Sequence, residues 1–208
     1  MMYIQFWLDS YQPDRNYVFI MSPVIVVSGS PASGKTTVAQ WLASKINIPL
    51  LSKDDYKERL FDKFGIDDRA WSKRLGKISF NQLCRDVRCH VARGNSFILE
   101  SAFRSDDGEA LSEMLISRPV IHAHCVIPPS LALTRFRIRA RTQGRHKGHA
   151  DETNLKELSL ILEEEKFEPS IINSQLILVP SDDYSHDYLE ARKKVYELFY
   201  NIARLNDD

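Results

Sequence analysis

The chain has 208 residues, of which 43% are hydrophobic and 27% are charged, and these values are ordinary for a single globular domain. The 28 basic residues balance the 28 acidic ones, so the formal net charge is zero and no overall field favours nucleic acid or an anionic membrane. No apolar stretch reaches the ~20 residues that cross a bilayer. The three cysteines are few and odd in number, which favours reduced, buried cysteine in a cytoplasmic protein. No paired Cys/His spacing supports a metal site.

Residues 1–20 differ in composition from the rest of the chain. They contain six aromatic residues and lack the basic start and small-residue cleavage site of a signal peptide. Two interpretations stay open: an N-terminal extension that is not native, with Met21 as the natural start, or an added strand or hydrophobic cover on the core. Residues 21–208 show no repeat or low-complexity linker and are expected to form one domain.

The strongest signal begins with the apolar run at 24–27, Val-Ile-Val-Val, which is typical of a buried strand. Directly after it, residues 29–36 read Gly-Ser-Pro-Ala-Ser-Gly-Lys-Thr and match the pattern G-x-x-x-x-G-K-[ST]. The next segment, 37–46, places its apolar residues on one helical face. In such a strand–loop–helix unit the backbone N–H groups and the helix dipole surround a phosphate, so the chain is predicted to bind a nucleoside triphosphate.

The residue types of this loop have separate physical roles. Gly29 and Gly34 permit backbone conformations and a close phosphate approach that a Cβ would block. Lys35 is expected to bring positive charge to the β- and γ-phosphates, and the Thr36 hydroxyl is expected to bind Mg²⁺. The residues expected to contact the nucleotide here are Gly29, Ser30, Pro31, Ala32, Ser33, Gly34, Lys35, Thr36 and Thr37.

Beyond the loop, short apolar strands alternate with helices. Further strands are expected at 48–52, 96–100, 119–127 and 175–179. Further helices are expected at 56–63, 67–93 with an interruption near Gly76, 109–117, 128–142, 154–166 and 187–205. This alternation predicts an α/β fold with a five-stranded parallel sheet covered by helices on both faces.

Two acids, Asp54 and Asp55, follow the second predicted strand, at the carboxyl edge of a parallel sheet where sites form. Transfer of a phosphoryl group to a hydroxyl needs a carboxylate that orients the hydroxyl and accepts its proton. We assign this role to Asp54 and a capping or structural role to Asp55. The alternative is that one or both cap the helix that follows.

A single acid, Glu100, ends the third predicted strand. It could hold Mg²⁺ through water, orient the substrate or assist catalysis, and the alternative is a buried structural ion pair. ATPases that drive mechanical work usually carry two adjacent acids at this point, whereas a kinase must avoid hydrolysing ATP. The single acid therefore favours a kinase.

The segment 135–149 is strongly basic, with six lysines or arginines, two histidines and no acid. Arg135 and Arg139 are four residues apart on one helical face, and Arg137 and Arg141 lie on another. A mobile arginine-bearing flap over the triphosphate would neutralise transition-state charge and exclude water. The alternatives are a solvated basic helix or a stripe that binds nucleic acid.

The histidines fall into two pairs. His122 and His124 share one face of the fourth predicted strand, and core or edge positions are favoured over metal ligation because no third ligand is evident. His146 and His149 are expected to contact phosphate or substrate rather than metal.

Three segments together resemble the AAA_33-type small P-loop kinases, a group similar to polynucleotide 5′-hydroxyl kinase domains, chloramphenicol phosphotransferase and zeta toxins. These segments are the phosphate loop, the run Leu-Ser-Lys-Asp-Asp-Tyr-Lys at 51–57, and the basic stretch that ends in Arg-His-Lys-Gly-His at 145–149. The polynucleotide kinase pattern reads R-D-D-Y-R at the second segment, with its first aspartate as base. This chain departs from it at Lys57, which lacks the bidentate fork of arginine.

The resemblance implies a P-loop NTPase fold, a three-layer α/β/α sandwich with a mobile arginine-rich lid at about 141–153. It implies an ATP- and Mg²⁺-dependent phosphotransferase whose acceptor is a hydroxyl on a small or nucleoside-like molecule. The alternatives are a kinase that acts on a polynucleotide 5′-hydroxyl end, or an ATP-binding regulatory module with little turnover. The catalytic residues that the resemblance implies are Lys35, Asp54 and Arg139. The ATP contacts that it implies for the lid are Arg135, Arg139 and Arg141. The acceptor contacts that it implies are Asp54, Lys57, Glu100 and Arg145.

Overall fold

The computed structural model describes residues 22–103, 105–141, 146–149, 155, 159, 160, 162, 167–169, 171, 173–181 and 185–205. Strands and helices alternate along this part of the chain. The strands are β1 (Val24–Gly29), β2 (Leu50–Ser52), β3 (Ile98–Glu100), β4 (Val120–Val126) and β5 (Gln175–Pro180). The helices are α1 (Lys35–Ile46), α2 (Lys53–Phe64), α3 (Arg69–Ala92), α4 (Ser105–Met114), α5 (Pro129–Arg141) and α6 (His186–Arg204), with a short 3₁₀ turn at Lys147–His149.

The five strands form one parallel sheet in the order β2-β3-β1-β4-β5. Strand β3 pairs with β1 and β2 so that Glu100 lies level with Val27 on one side and Ser52 on the other. The carboxyl ends of these three strands therefore meet at one edge of the sheet, directly below the phosphate loop.

Apolar residues of β1 alternate between the two faces of the sheet, as the pleat requires. Ile25 and Val27 belong to the core cluster that packs with α1 and α6. Val24 and Val26 belong to a second cluster, with residues of α3 and α4. Helices thus cover both faces, which confirms the predicted α/β fold with a five-stranded parallel sheet.

Two helices differ from the sequence prediction. Helix α3 runs without interruption through Gly76, so the predicted break is wrong. One glycine in a helix costs only about 1 kcal/mol, and the residues around it, including Leu75 and Ser79, are buried against neighbouring elements. Helix α2 begins at Lys53, three residues earlier than expected. Most of the predicted helix at 154–166 lies outside the described residues.

Arg118 fastens the opposite edge of the sheet from the phosphate loop. The residue is 4% exposed. Its guanidinium donates hydrogen bonds to the carbonyls of Ser22, Val91, Gly94 and Asn95. Burial lowers the pKa of Arg118 from its ordinary value. The described helices include none with the combination of length and apolarity that a bilayer span requires.

Candidate functional site

The phosphate loop leaves β1 at Gly29 and enters α1 at Gly34, and both residues have positive φ angles, 141° and 83°. A Cβ at Gly29 would lie 2.4 Å from the carbonyl oxygen of Cys125, so a side chain cannot be placed there without moving the backbone. Gly34 is the N-cap of α1 and provides no side-chain hydrogen bond to the first turn. The first-turn N–H groups therefore lack a side-chain cap and suit an anion.

Lys35 lies across this loop. Its Nζ donates a 3.2 Å hydrogen bond to the carbonyl of Ser30, which keeps the ammonium group close to the turn. Below it, the buried Ser33 hydroxyl has no hydrogen-bond partner among the described residues. Buried polar groups normally have a partner, so the Ser33 hydroxyl is a candidate contact for a ligand bound in the loop.

Glu100 connects the phosphate loop to the second half of the site. Its side chain is 2% exposed, and its carboxylate accepts a 3.2 Å bond from the Thr36 hydroxyl and a 2.6 Å bond from the Ser52 hydroxyl. Burial raises the pKa of Glu100, the nearby Lys35 and the Ser52 bond oppose the rise, and the charge of Asp54 adds to it. Both acids therefore act on one another electrostatically at the edge of the sheet.

The first turn of α2 carries both aspartates. Ser52 is the N-cap of this helix, so neither aspartate occupies the capping position. Asp54 is half-buried and Asp55 is exposed, and negative charge in the first turn is favourable because of the helix dipole. Asp54 is close enough to Glu100 for its charge to raise the pKa of that carboxyl.

Two of the basic side chains of α5 face inward. Arg135 is half-buried and donates to the Ser181 hydroxyl at 3.3 Å and to the Ser181 carbonyl. The Ser181 hydroxyl in turn donates to the carbonyl of Ser33. Arg135 thus reaches the phosphate loop through one intermediate residue, which follows β5.

The remaining arginines of the basic segment occupy different positions. Arg139 is half-buried with its guanidinium 4.8 Å from the centre of the Phe136 ring, whereas Arg137 and Arg141 are exposed. Arg145 lies outside the described residues. The two i, i+4 pairs therefore lie on different faces of α5, as expected. Arg135 and Arg139 face inward, whereas Arg137 and Arg141 face outward.

The turn at 147–149 is docked on helix α2. His149 Nε2 lies 2.8 Å from Glu58 Oε1, and His146 Nε2 lies 3.1 Å from Asp62 Oδ1. The Phe61 ring stacks on His146 with an interplanar angle of 10° and meets His149 edge-on. These histidines were expected to contact phosphate or substrate, and the contacts observed are carboxylates of the helix that carries Asp54.

The second histidine pair is buried in the sheet. The Ser28 hydroxyl lies 2.6 Å from His122 Nε2 and 2.7 Å from His124 Nδ1, and the two side chains are 0% and 5% exposed. Both are core positions, as the sequence favours. Among the described residues no group of three or more His, Cys, Asp or Glu side chains could hold a metal ion.

Sequence reasoning assigned no contact to three serines, of which two lie at the candidate site and one lies in the core. Ser52 and Ser181 hold Glu100 and the phosphate loop in place, and Ser28 joins the two histidines. Serine hydroxyls carry no spacing pattern that would have indicated these contacts. The signal available was their place in the chain, since Ser52 is the last residue of β2 and Ser181 directly follows β5.

A profile of the AAA_33 family, described as an AAA domain, matches residues 24–164. The chain belongs to this family. A crystal structure of a candidate kinase from Chloroflexus aurantiacus superposes with a TM-score of 0.74 at 31% identity, over 84% of this chain and 97% of that one. The prediction of a small P-loop kinase family is confirmed by this match.

Two of the relatives identified by sequence are named as kinases. A cytidylate kinase from Pyrobaculum islandicum is 50% identical over 78 residues, 37% of this chain and 42% of that protein. Mouse adenylate kinase 8 is 38% identical over 56 residues, 27% of this chain and 12% of that protein. The chain spans less than half the length of either curated relative.

Proposed function

We propose that this chain transfers the γ-phosphoryl group of ATP to a hydroxyl of a small-molecule or nucleoside-like acceptor, in a reaction that depends on Mg²⁺. The observation that carries the proposal is the double hydrogen bond of Glu100, to Thr36 of the phosphate loop and to Ser52 at the start of α2. It joins a donor site to the helix that carries Asp54. Phosphoryl transfer depends on positioning donor and acceptor in this way.

The donor side fits a triphosphate and a hard cation. Donors for phosphate oxygens come from the uncapped first turn of α1, the Lys35 ammonium and the Ser33 hydroxyl, which has no partner in the described part of the chain. A hydroxyl on Thr36 with the Glu100 carboxylate 3.2 Å away suits Mg²⁺, which binds few protein oxygens together with water and phosphate. When bound, Mg²⁺ supplies positive charge to the phosphate oxygens.

The acceptor side depends on Asp54. Its carboxylate would orient the acceptor hydroxyl and take its proton while the oxygen bonds to the γ-phosphorus and the bond to the β-phosphate oxygen breaks. Arg135 and Arg139, on the inward face of α5, would stabilise charge on the transferring group. Both oxygens of Glu100 already accept hydrogen bonds from the protein. This supports a role for Glu100 in holding Thr36 and Ser52 in position, and argues against a role in activating water.

The proposal is tested with two matched pairs of variants. Lys35→Ala should weaken ATP binding and abolish transfer, whereas Lys45→Ala, at an exposed position of the same helix, should do neither. Asp54→Asn should retain ATP affinity and lower the rate of transfer by ~10²-fold or more. Asp55→Asn, at an exposed position of the same helix turn, should leave the rate of transfer nearly unchanged.

Binding is measured by calorimetry with a non-hydrolysable ATP analogue and Mg²⁺. Transfer is measured as ADP production over a panel of hydroxyl compounds that includes a 5′-hydroxyl oligonucleotide. Tight ATP binding with no acceptor-dependent ADP production across the panel would contradict the proposal and favour a regulatory module. Loss of ATP affinity in Asp54→Asn would reassign Asp54 to nucleotide or metal binding.

A further inference from the structure

Strand β5 ends the sheet among the described strands, with β4 on one side of it. Its sequence, Gln-Leu-Ile-Leu-Val-Pro, contains no charged residue. Leu176 and Leu178 are 47% and 56% exposed, whereas Ile177 and Val179 lie in the core cluster shared with α6. Natural edge strands commonly carry a charge that prevents pairing with another chain. The edge of β5 that faces away from β4 therefore suits a further strand.

Helix α6 runs beside this edge, and the charges that line the groove between α6 and β5 are arranged in blocks. Asp187 and Glu190 are acidic, Ala191 is small and neutral, and Lys193 and Lys194 are basic. The four charged side chains are exposed. The distance at which two helices pack depends on the side chains at the contact, so the alanine between the two blocks allows another helix to approach closely.

The strand and the helix are both self-complementary under a two-fold rotation. Ile177 and Ala191 line the same groove. A second molecule turned about an axis near these residues places its β5 antiparallel to the first, with Leu176 of one strand beside Leu178 of the other. The same rotation reverses α6, so the acidic block of each copy meets the basic block of the other.

The charges of α6 also pair within the helix. His186 lies 3.9 Å from Asp187 and 3.6 Å from Glu190, and Lys193 Nζ lies 3.4 Å from Glu197. More than half of each of these side chains is exposed, and exposed pairs contribute little to stability. They therefore leave the two blocks available to charges on a second molecule.

We propose that two copies of this chain associate through the edge of β5 and the groove beside α6, and that their sheets join there into one continuous sheet. The occupant is a second copy because the groove carries both signs of charge in the order that its own two-fold image requires. An isologous contact of this kind needs such a self-complementary surface. The inference is independent of the proposed phosphoryl transfer, and its tests measure association instead of turnover.

The first experiment measures the dissociation constant of the dimer by sedimentation equilibrium of the full chain. Leu178→Lys places a charge on the edge at an exposed position, and should raise this constant at least tenfold. Ile116→Lys is the control, because it places the same charge at another exposed apolar position, beyond the end of α4, and should leave the constant unchanged. A monomeric wild type, or equal association of the two variants, would overturn the proposal.

The second experiment exchanges charges across the two-fold axis. Lys194→Glu and Glu190→Lys each place like charges opposite one another, so each should raise the dissociation constant at least tenfold. The double variant again places opposite charges across the axis and should restore association to near the wild-type value. Added salt should weaken the wild-type dimer, because exposed charges are screened. A double variant that associates no better than either single variant would contradict the pairing of α6 with its copy.

Hydrogen exchange distinguishes a second copy from another occupant of the same edge. Amides of β5 that face away from β4 should exchange slowly in the dimer and faster after dilution, as the dimer dissociates. The Leu178→Lys variant should show the fast exchange at every protein concentration. Slow exchange that does not depend on protein concentration would assign the edge to another segment of this chain and overturn the proposal.

Discussion

The buried cluster of Ser28, His122 and His124 should make the folded state sensitive to mild acid. His122 is 0% exposed, and its Nδ1 has no hydrogen-bond partner among the described residues. Burial, with a smaller contribution from the neighbouring His124, lowers the pKa of His122 to about 3. The folded state therefore keeps this histidine neutral at pH values where the unfolded chain binds a proton.

The sign and size of the effect follow from proton linkage. Because the unfolded state binds more protons, stability falls as the pH falls from about 6.5, the ordinary histidine value, towards about 3. Between pH 7 and pH 5 the loss from His122 alone is about 2 kcal/mol. Burial also lowers the pKa of His124 against opposing contributions from Phe167 and Glu168, so this residue adds to the loss in the same direction.

Urea unfolding at pH 7 and pH 5 measures this loss. His122→Gln retains a polar group for Ser28 and cannot titrate. Between pH 7 and pH 5 the free energy of unfolding should therefore decrease in the wild type by about 2 kcal/mol more than in this variant. His186→Gln is the control, because His186 is exposed in surface pairs with Asp187 and Glu190, and should behave like the wild type. An acid loss in His122→Gln equal to that of the wild type would refute the linkage argument.

Two further substitutions test the docked turn and the opposite edge of the sheet. A Cβ at residue 148 would lie 2.3 Å from the Phe61 ring, so Gly148→Ala should displace the turn from α2 and raise the acceptor KM several-fold. Steady-state kinetics measures this KM, and an unchanged value would show that the turn has no part in acceptor binding. Arg118→Met leaves four carbonyls without their donor and should lower the free energy of unfolding by about 3 kcal/mol. Urea unfolding measures that loss. ATP affinity should be unchanged, because Arg118 lies at the opposite edge of the sheet from the phosphate loop, and a weaker affinity would contradict this expectation.

The fold was predictable to the extent that its signals are local. The run 24–27 and the glycine pattern after it give strand, loop and helix directly, because burial on both faces selects β-branched residues and the loop needs Gly29 and Gly34. The predicted break at Gly76 failed for a tertiary reason. Packing of α3 against its neighbours outweighs the small backbone preference of a single glycine.

For the candidate site, the sequence indicated the positions of its residues in the fold better than their contacts. The carboxyl ends of the strands indicated Asp54 and Glu100, but the bond from Thr36 to Glu100 joins residues 64 positions apart. Such contacts depend on sheet order and register, which periodicity does not determine. The same limit applies to the docked turn, where the complementarity of His149 and Glu58 appears only when the two elements are adjacent.

Strand order explains why a single acid contacts both the phosphate loop and the start of α2. Strand β3 lies between β1 and β2, so its last residue, Glu100, is adjacent to the end of each. Lys35 favours the ionised form of this carboxylate, whereas burial and the charge of Asp54 oppose it. Lys35 therefore acts on the Glu100 carboxylate as well as on the phosphates that it is proposed to contact. Lys35→Ala should weaken ATP binding both with and without Mg²⁺, and calorimetry under the two conditions measures this. Unchanged affinity under both conditions would contradict the role proposed for the lysine.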